Sequence, residues 1–494
     1  MPSEDSLSID QHNQDENCLS KFHWIGSYGP CFQVPVSNFE VLYEPSEFFN
    51  EMKTMFSNAK QRIYISSLYL GTDPYEHELI DSIRTALEKN SKTFKVFVLL
   101  DRLRGLRIDN MATQKNSKTM FLPLLQQYSD QIKFFLFHTP LLRGILKKLM
   151  PNRINESWGV QHMKIYMADN DMIISGANLN KTYFVNRQDR YLKLKNCSEI
   201  CDFFVNIIES IAKYSYEVKP DSTIIYNEKF HPYKGDYNRY TEEVHQTISL
   251  LMDKYCSRHM IPSTLATDKA LVVPLIQMGP FNIQYDRDFN IKLYSTLTMN
   301  SHLFLATSYF NMTEEYENAL INNKKQEKYV KLLTASPQAN GFYGSKGVSQ
   351  WVPTGYTECE REFVERAEKA ETNTDNKLIQ MYEYYRKDWT YHAKGLWLYE
   401  TSLKNKNDRV DKNNFLPSLI CIGSPNFGAR SIQRDLEAQL CIITDNRELR
   451  LKFHQERVRL FQYGHAVSSQ TFKHPSRIAP FWAPYFMKVF RNFF

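Results

Sequence analysis

Nowhere in the 494 residues is there an uncharged apolar run of about eighteen, the least a membrane-spanning helix needs, so no crossing segment is expected. Dense cysteine spacing is missing too. Cys18, Cys31, Cys197, Cys201, Cys256, Cys359, Cys421 and Cys441 are scattered, which excludes a secreted disulfide scaffold and points to a reducing compartment. Cys197 and Cys201 sit one helical turn apart, but nothing nearby completes a ligand set, and neither a metal nor another cofactor is expected. The absence of a Gly-x-x-x-x-Gly-Lys-Ser/Thr loop excludes P-loop nucleotide binding. A strong excess of one charge is lacking as well. The net +6, from 61 basic and 55 acidic residues, is too mild for a nucleic-acid coat and suits a local anionic site. The first residues lack the basic character of a transit peptide: Met1 to about Lys21 is polar and acidic and is expected to be disordered.

What is present is a repeat. Gln161-His162-Met163-Lys164 leads through Ser175-Gly176-Ala177-Asn178 to Arg187-Gln188-Asp189, and His392-Ala393-Lys394-Gly395 leads through Gly423-Ser424-Pro425-Asn426 to Glu437. In both, the acid lies 11 residues after the asparagine. Each series follows the same succession of elements. Arg62–Leu70 reads as a strand, Leu79, Ile83 and Leu87 mark one helix face, and Lys95–Asp101 reads as a buried strand. In the second half His302–Phe310, a helix over Glu314–Asn322 and Lys328–Leu333 repeat that order. The chain is too long for one core, and 42% hydrophobic content is enough for two. The expected fold is therefore α/β, two pseudo-twofold-related α/β/α sandwich lobes sharing one site between them.

On a strand, His162 and Lys164 would share one face, and so would His392 and Lys394. Two histidines and two lysines are what phosphodiester transfer needs without metal: one ring attacks phosphorus, the other protonates the leaving oxygen, and the lysines offset charge. Asp189 and Glu437 would each orient a histidine through its far ring nitrogen, and Asn178 and Asn426 would donate to phosphate oxygens. Asp169, seven residues past His162, is grouped with the first motif but reads better as a structural partner of a buried charge. A lone histidine on an apolar strand is ordinarily a hydrogen-bonded core residue; here four residue types recur in one order twice. Among the arginines Arg102, Arg104, Arg107, Arg187 and Arg430, the last two lie closest to the motifs and are the leading phosphate-binding candidates, with Ser424 beside them.

The phrases His162-x-Lys164-x-x-x-x-Asp169 with Ser175-Gly-Ala-Asn178, and His392-x-Lys394 with Gly423-Ser-x-Asn426, resemble the paired signatures of the phospholipase D superfamily. Within it, Ser67–Thr72, His138-Thr-Pro, Asn186–Arg190, His392–Tyr399 and Gly423–Phe427 resemble the eukaryotic phosphatidylglycerophosphate synthase family, from about Cys31 to the C-terminus. The resemblance implies a phosphohistidine intermediate, CDP-diacylglycerol as donor, sn-glycerol 3-phosphate as acceptor, and residence at the mitochondrial inner membrane. The more complete first motif is expected to supply the nucleophile, His162, and the second the acid, then base, His392. Two departures stand out: Tyr399 replaces the second motif's Asp, and Gly176 stands where Ser424 sits in the other copy.

Two stretches are expected to meet an anionic membrane surface without crossing it. Leu141–Met150 segregates Leu142, Ile145 and Leu146 from lysines, and Ile478–Phe494 interleaves Trp482, Phe486 and Phe490 with Lys488 and Arg491. The sequence thus divides into a disordered 1–21, a first lobe 22–218, a connection 219–260, a second lobe 261–477 and an interfacial 478–494. A nucleic-acid phosphodiesterase would use the same histidines, but the mild charge speaks against a nucleic-acid partner. A catalytically silent scaffold is the other rival, opposed by the intact Lys394, Asn426 and Glu437.

Overall fold

The structure is a computed structural model that describes residues 18–109, 111–144, 155–226, 231–321, 329–345, 350–370, 378–400 and 415–477, the side chain of Ser476 excepted. Two large sheets form from apolar runs. The first passes, edge to edge, through Ile224–Ile225, Tyr216–Val218, Ile132–Phe137, Lys95–Asp101, Arg62–Ser67, Ile165–Ala168, Asp171–Ser175, Tyr191–Leu194 and Phe39–Leu42. The second passes through Phe32–Pro35, Lys269–Met278, Leu436–Ile443, Pro417–Gly423, Gly395–Glu400, Ser301–Ala306, Tyr329–Ala335, Ile379–Tyr384 and Gly464–Val467.

The pairing senses match as well as the order. Arg62–Ser67, Lys95–Asp101 and Ile132–Phe137 run parallel, and Ile165–Ala168, Asp171–Ser175 and Tyr191–Leu194 then add antiparallel. Ser301–Ala306, Tyr329–Ala335 and Ile379–Tyr384 run parallel, followed by antiparallel Gly395–Glu400, Pro417–Gly423 and Leu436–Ile443. Parallel neighbours need a crossover, and helices supply it: Pro74–Lys89 in the first sheet, opened by Pro74 at a position whose N–H would be orphaned anyway, and Glu314–Ile321 in the second, its first turn acidic against the helix dipole. Buried faces of both sheets join one apolar cluster, running from Met163, Ile165 and Leu192 to Ala393, Trp397, Ile422 and Leu436. The two halves therefore pack through a shared core.

Sheet membership departs from the expected boundaries. Cys18–Lys21 is helical with Leu19 buried, because Leu19, Phe22 and Ile25 fill the apolar layer of the second sheet alongside Leu271 and Val273. Strand Phe32–Pro35 pairs with Lys269–Met278 and so closes the second sheet, although it precedes the whole first one. In the expected connection, Ile224–Ile225 extends the first sheet, and helix Tyr237–Arg258 buries Val244, Ile248 and Met252 in the shared core.

Candidate active site

Both His-x-Lys segments lie immediately ahead of a strand rather than within it: Lys164 precedes Ile165–Ala168, and Lys394 precedes Gly395–Glu400. The reason is that their backbones bond to the opposite half. His162 N–H donates to Leu436 O at 2.9 Å and Leu436 N–H returns to Val160 O at 2.9 Å. In the mirror-image arrangement Thr390–Tyr391 pairs parallel with Arg187–Gln188, and His392 N–H donates to Gln188 O at 2.7 Å. Met163 and Ala393 are fully buried in the shared core, which turns the flanking histidine and lysine into the cleft.

The carboxylates are exchanged as well. His162 Nδ1 lies 2.9 Å from both oxygens of Glu437, and His392 Nδ1 lies 2.7 Å from Asp189 Oδ2, so each ring is oriented from the other half. Ser424 and Ser431 donate to the two oxygens of Glu437 at 2.5 and 2.7 Å. Asp189 accepts from the Arg190 N–H at 2.8 Å and rests on Gly176, where a Cβ would come within 2.7 Å of its Oδ1. Ser424 therefore supports a carboxylate, and Gly176 makes room for the shorter one. A carboxylate fixes the Nδ1–H tautomer and leaves Nε2 of each ring as the working atom.

Lys164 Nζ donates to His162 O at 2.6 Å and Lys394 Nζ to His392 O at 2.7 Å, the latter also 2.8 and 3.2 Å from Nδ1 and Nε2 of the His392 ring and 3.4 Å from Ser308 Oγ. Burial, then neighbouring cations, pushes both histidines well below their ordinary range, and His162 is among the charges that lower His392. Burial raises Glu437 to about 7 and Asp189 to about 6, and lowers Lys394 to about 8. Arg430 lies 3.2 Å from Asp435, which also accepts the Val160 N–H. Arg187 donates to Thr390 Oγ1 at 3.0 Å and lies over the Tyr183 ring, and no carboxylate pairs with it among the described residues.

Other expected residues fall elsewhere. Asp169 stands in the turn after Ile165–Ala168, at φ 54°, and accepts the N–H groups of Lys60, Gln61 and Arg62 at 2.8, 2.7 and 3.1 Å. It caps a strand entry and takes no part in the cleft. Tyr399, its counterpart, lies inside the longer strand Gly395–Glu400, where there is no turn to cap, and receives Arg457 Nε at 3.1 Å. The Asn178 amide donates to Tyr183 Oη at 3.0 Å, not into open cleft, while Asn426 Oδ1 is 3.5 Å from Ser308 Oγ. Arg104 and Arg107 are paired with Asp109 and Glu156, and Arg102 covers the Tyr216 ring. Leu142 is fully buried, which removes it from any membrane face; Ile145, Leu146, Trp482, Phe486 and Phe490 lie outside the described residues. Among the described residues no helix is long and apolar enough to cross a membrane.

His162, Asp435 and Glu437 form a cluster with metal-ligand spacing. The oxygens of Glu437 are already occupied by two hydroxyl donors and an imidazole, and Asp435 by Arg430 and a backbone N–H, so the donor set suits an ion pair better than a cation.

Two residues escaped the sequence reading. Tyr183, on helix Lys181–Val185, places its hydroxyl 3.2 Å from His392 Nε2. Arg190 is fully buried and forks onto Glu456 at 2.8 and 2.9 Å, donates to Cys421 O at 2.6 Å, and lies 3.8 Å over the Trp397 ring, whose Nε1 also bonds Glu456. Gly395, at φ +115°, has no room for a Cβ beside Arg190 Nη1 and Cys421 O, which explains the run Gly395-Leu-Trp397. Arg190 closes the segment Asn186–Arg190 that carries part of the family resemblance, whereas no motif includes Tyr183.

No family model matches the chain. It is 39% identical to the mitochondrial CDP-diacylglycerol–glycerol-3-phosphate 3-phosphatidyltransferase of Homo sapiens, across 96% of this chain and 86% of that protein. It is 38% identical to the probable enzyme of that name from Dictyostelium discoideum, across 90% and 76%, and 35% identical to that of Saccharomyces cerevisiae, across 90% and 85%. Among solved structures, the phosphatidylserine synthase of Haemophilus influenzae Rd KW20 superimposes with a TM-score of 0.69 over 95% of this chain and 96% of its own, at 21% identity, a likeness of fold.

Proposed function

The chain belongs to the CDP-diacylglycerol–glycerol-3-phosphate 3-phosphatidyltransferase family, and from that premise we propose that it transfers the phosphatidyl group of CDP-diacylglycerol to sn-glycerol 3-phosphate, releasing CMP. The observation that carries the mechanism is the exchanged pairing of two buried imidazoles with carboxylates from opposite halves. In the first step His162 Nε2 attacks phosphorus. The phosphorus–nitrogen bond forms, the bond to the CMP oxygen breaks, and His392 Nε2 gives its proton to that oxygen. In the second step the acceptor hydroxyl loses its proton to His392 while its oxygen displaces His162 from phosphorus.

Burial disfavours the protonated form of both rings, so in the protein alone each imidazole is held neutral beside its carboxylate. The negative charge of a bound pyrophosphate favours protonation of His392, and the substrate thus makes its own acid. Lys164, Lys394 and Arg430 stand where charge develops on the equatorial oxygens. Arg187, a half-buried guanidinium with no carboxylate partner among the described residues, takes the phosphate of the acceptor. The reaction belongs at the mitochondrial inner membrane, with the protein bound peripherally to an anionic surface.

The test is an acceptor panel. With labelled CDP-diacylglycerol, the expected product is phosphatidylglycerophosphate with glycerol 3-phosphate and little with serine, glycerol or water. Phosphatidic acid as the sole product would assign a hydrolase instead.

A further inference from the structure

Five residues after each motif asparagine the two copies differ: Tyr183 follows Asn178, and Ser431 follows Asn426. Ser431 reaches only the back of its histidine system, donating to Glu437 at 2.7 Å. Tyr183 reaches the front. Its hydroxyl is 3.2 Å from His392 Nε2 and accepts from Asn178 Nδ2 at 3.0 Å, its ring stands edge-on to the imidazole at 5.0 Å and 86°, and Arg187 covers its face at 4.7 Å. No hydrogen bond is made to Nε2 of His162 among the described residues.

We propose that Tyr183 is the positioning residue of proton transfer, holding His392 Nε2 in both of its protonation states, and that its absence opposite His162 is what leaves that ring free to become the nucleophile. The inference rests on the transferase reading given above. With Nδ1–H committed to Asp189, neutral His392 presents a lone pair at Nε2, to which the phenol donates from 3.2 Å, with the Lys394 ammonium at the same distance and able to serve only that unprotonated state. Once Nε2 carries a proton, the phenol oxygen accepts it. A hydroxyl serves both states, whereas an ammonium or a carboxylate serves one. At a nucleophilic nitrogen the same contact would compete with phosphorus for the lone pair, so a serine directed at the carboxylate is the compatible choice.

Tyr183→Phe keeps the ring, its edge contact and the arginine stack and removes only the hydroxyl. With CDP-diacylglycerol and glycerol 3-phosphate, kcat is expected to fall about ten- to a hundredfold while both KM values stay within about twofold. With a phosphatidyl ester of p-nitrophenol, whose leaving group departs without a proton, the burst of nitrophenol should stay within about twofold of the unmodified protein. On a His392→Ala background the substitution should cost nothing further. Unchanged kcat with the natural donor, an equal loss with the activated ester, or an additive loss on the His392→Ala background would each overturn the proposal. If the unmodified protein made no phosphatidylglycerophosphate, the transferase reading would fall, while the ester and the double variant would still report on Tyr183.

Discussion

The two copies of the module share strand order, pairing sense, the position of His-x-Lys before a strand and the exchange of carboxylates, yet they differ at nearly every residue around those constants. Asp189 faces Gly176 in one copy, and Glu437 is braced by Ser424 and Ser431 in the other. Asp169 caps a turn where Tyr399 continues a strand. Arg190 crosses from the first half into the second, where its counterpart position holds Ala438. The shared part is what a phosphorus centre requires from two sides; the divergent part surrounds the two rings with different neighbours, which is the basis of the separate duties proposed for them. Asp169 of the first motif illustrates the distinction. Its equivalent is absent from the second motif without loss of a functional group, because Asp169 serves only backbone N–H groups.

The comparison can be broken most severely at the rings. His162→Ala should abolish transfer and any trapped phosphatidyl adduct, a loss of at least about 10⁴-fold, whereas His392→Ala should still form the adduct from an activated ester; mass spectrometry of quenched protein distinguishes them. An adduct on residue 392 would invert the assignment. Next is the crossing arginine. Arg190→Met strands Glu456 in the core and should lower unfolding free energy by about 3–5 kcal/mol in chemical denaturation, with no equivalent cost at Ala438→Ser. Making the copies alike at the carboxylate shelf should hurt activity more than folding: Gly176→Ser pushes on Asp189 and should cut kcat about a hundredfold, read in the acceptor assay. Asp169→Asn should cost about 1–2 kcal/mol of stability while kcat stays within about twofold, the opposite balance to a catalytic carboxylate.

The smallest effect concerns pH. Asp286, behind the second copy only, is buried beneath Gln439 and Asn290, and burial raises its carboxyl to about 7. A carboxyl raised in the folded state contributes stability that is present below its unfolded value of 3.8 and is lost as pH climbs towards about 7. Asp286→Asn should make the slope of the stability curve shallower by the contribution of one carboxyl over this window, measured by urea titration at several pH values, and leave the slope above about pH 7 the same in both proteins.

Much of this was readable beforehand. Lys95–Asp101 forms the strand its apolar run announces, Leu79, Ile83 and Leu87 line one buried helix face, and His162, Lys164, His392, Lys394, Asp189 and Glu437 all converge. Repetition made them visible. Tyr183 and Arg190 were not, since a single tyrosine on a five-residue helix carries no periodicity, and the partner of Arg190 lies 266 residues away. Periodicity also set His162 on a strand because it registers alternation and not hydrogen bonding to a second sheet. Leu142 read as interfacial for a similar reason: an apolar face beside lysines looks the same whether it meets lipid or core.

The strand Phe32–Pro35 leads to a last point, about synthesis. It leaves the ribosome early, but its partner Val272 emerges about 240 residues later, a delay on the order of ten to fifty seconds at ordinary elongation rates. Phe32 and Val34 must stay soluble throughout that interval without the edge they are destined to seal. Maturation of the nascent polypeptide therefore cannot finish from front to back, and a chaperone holding the leading segment should improve its yield.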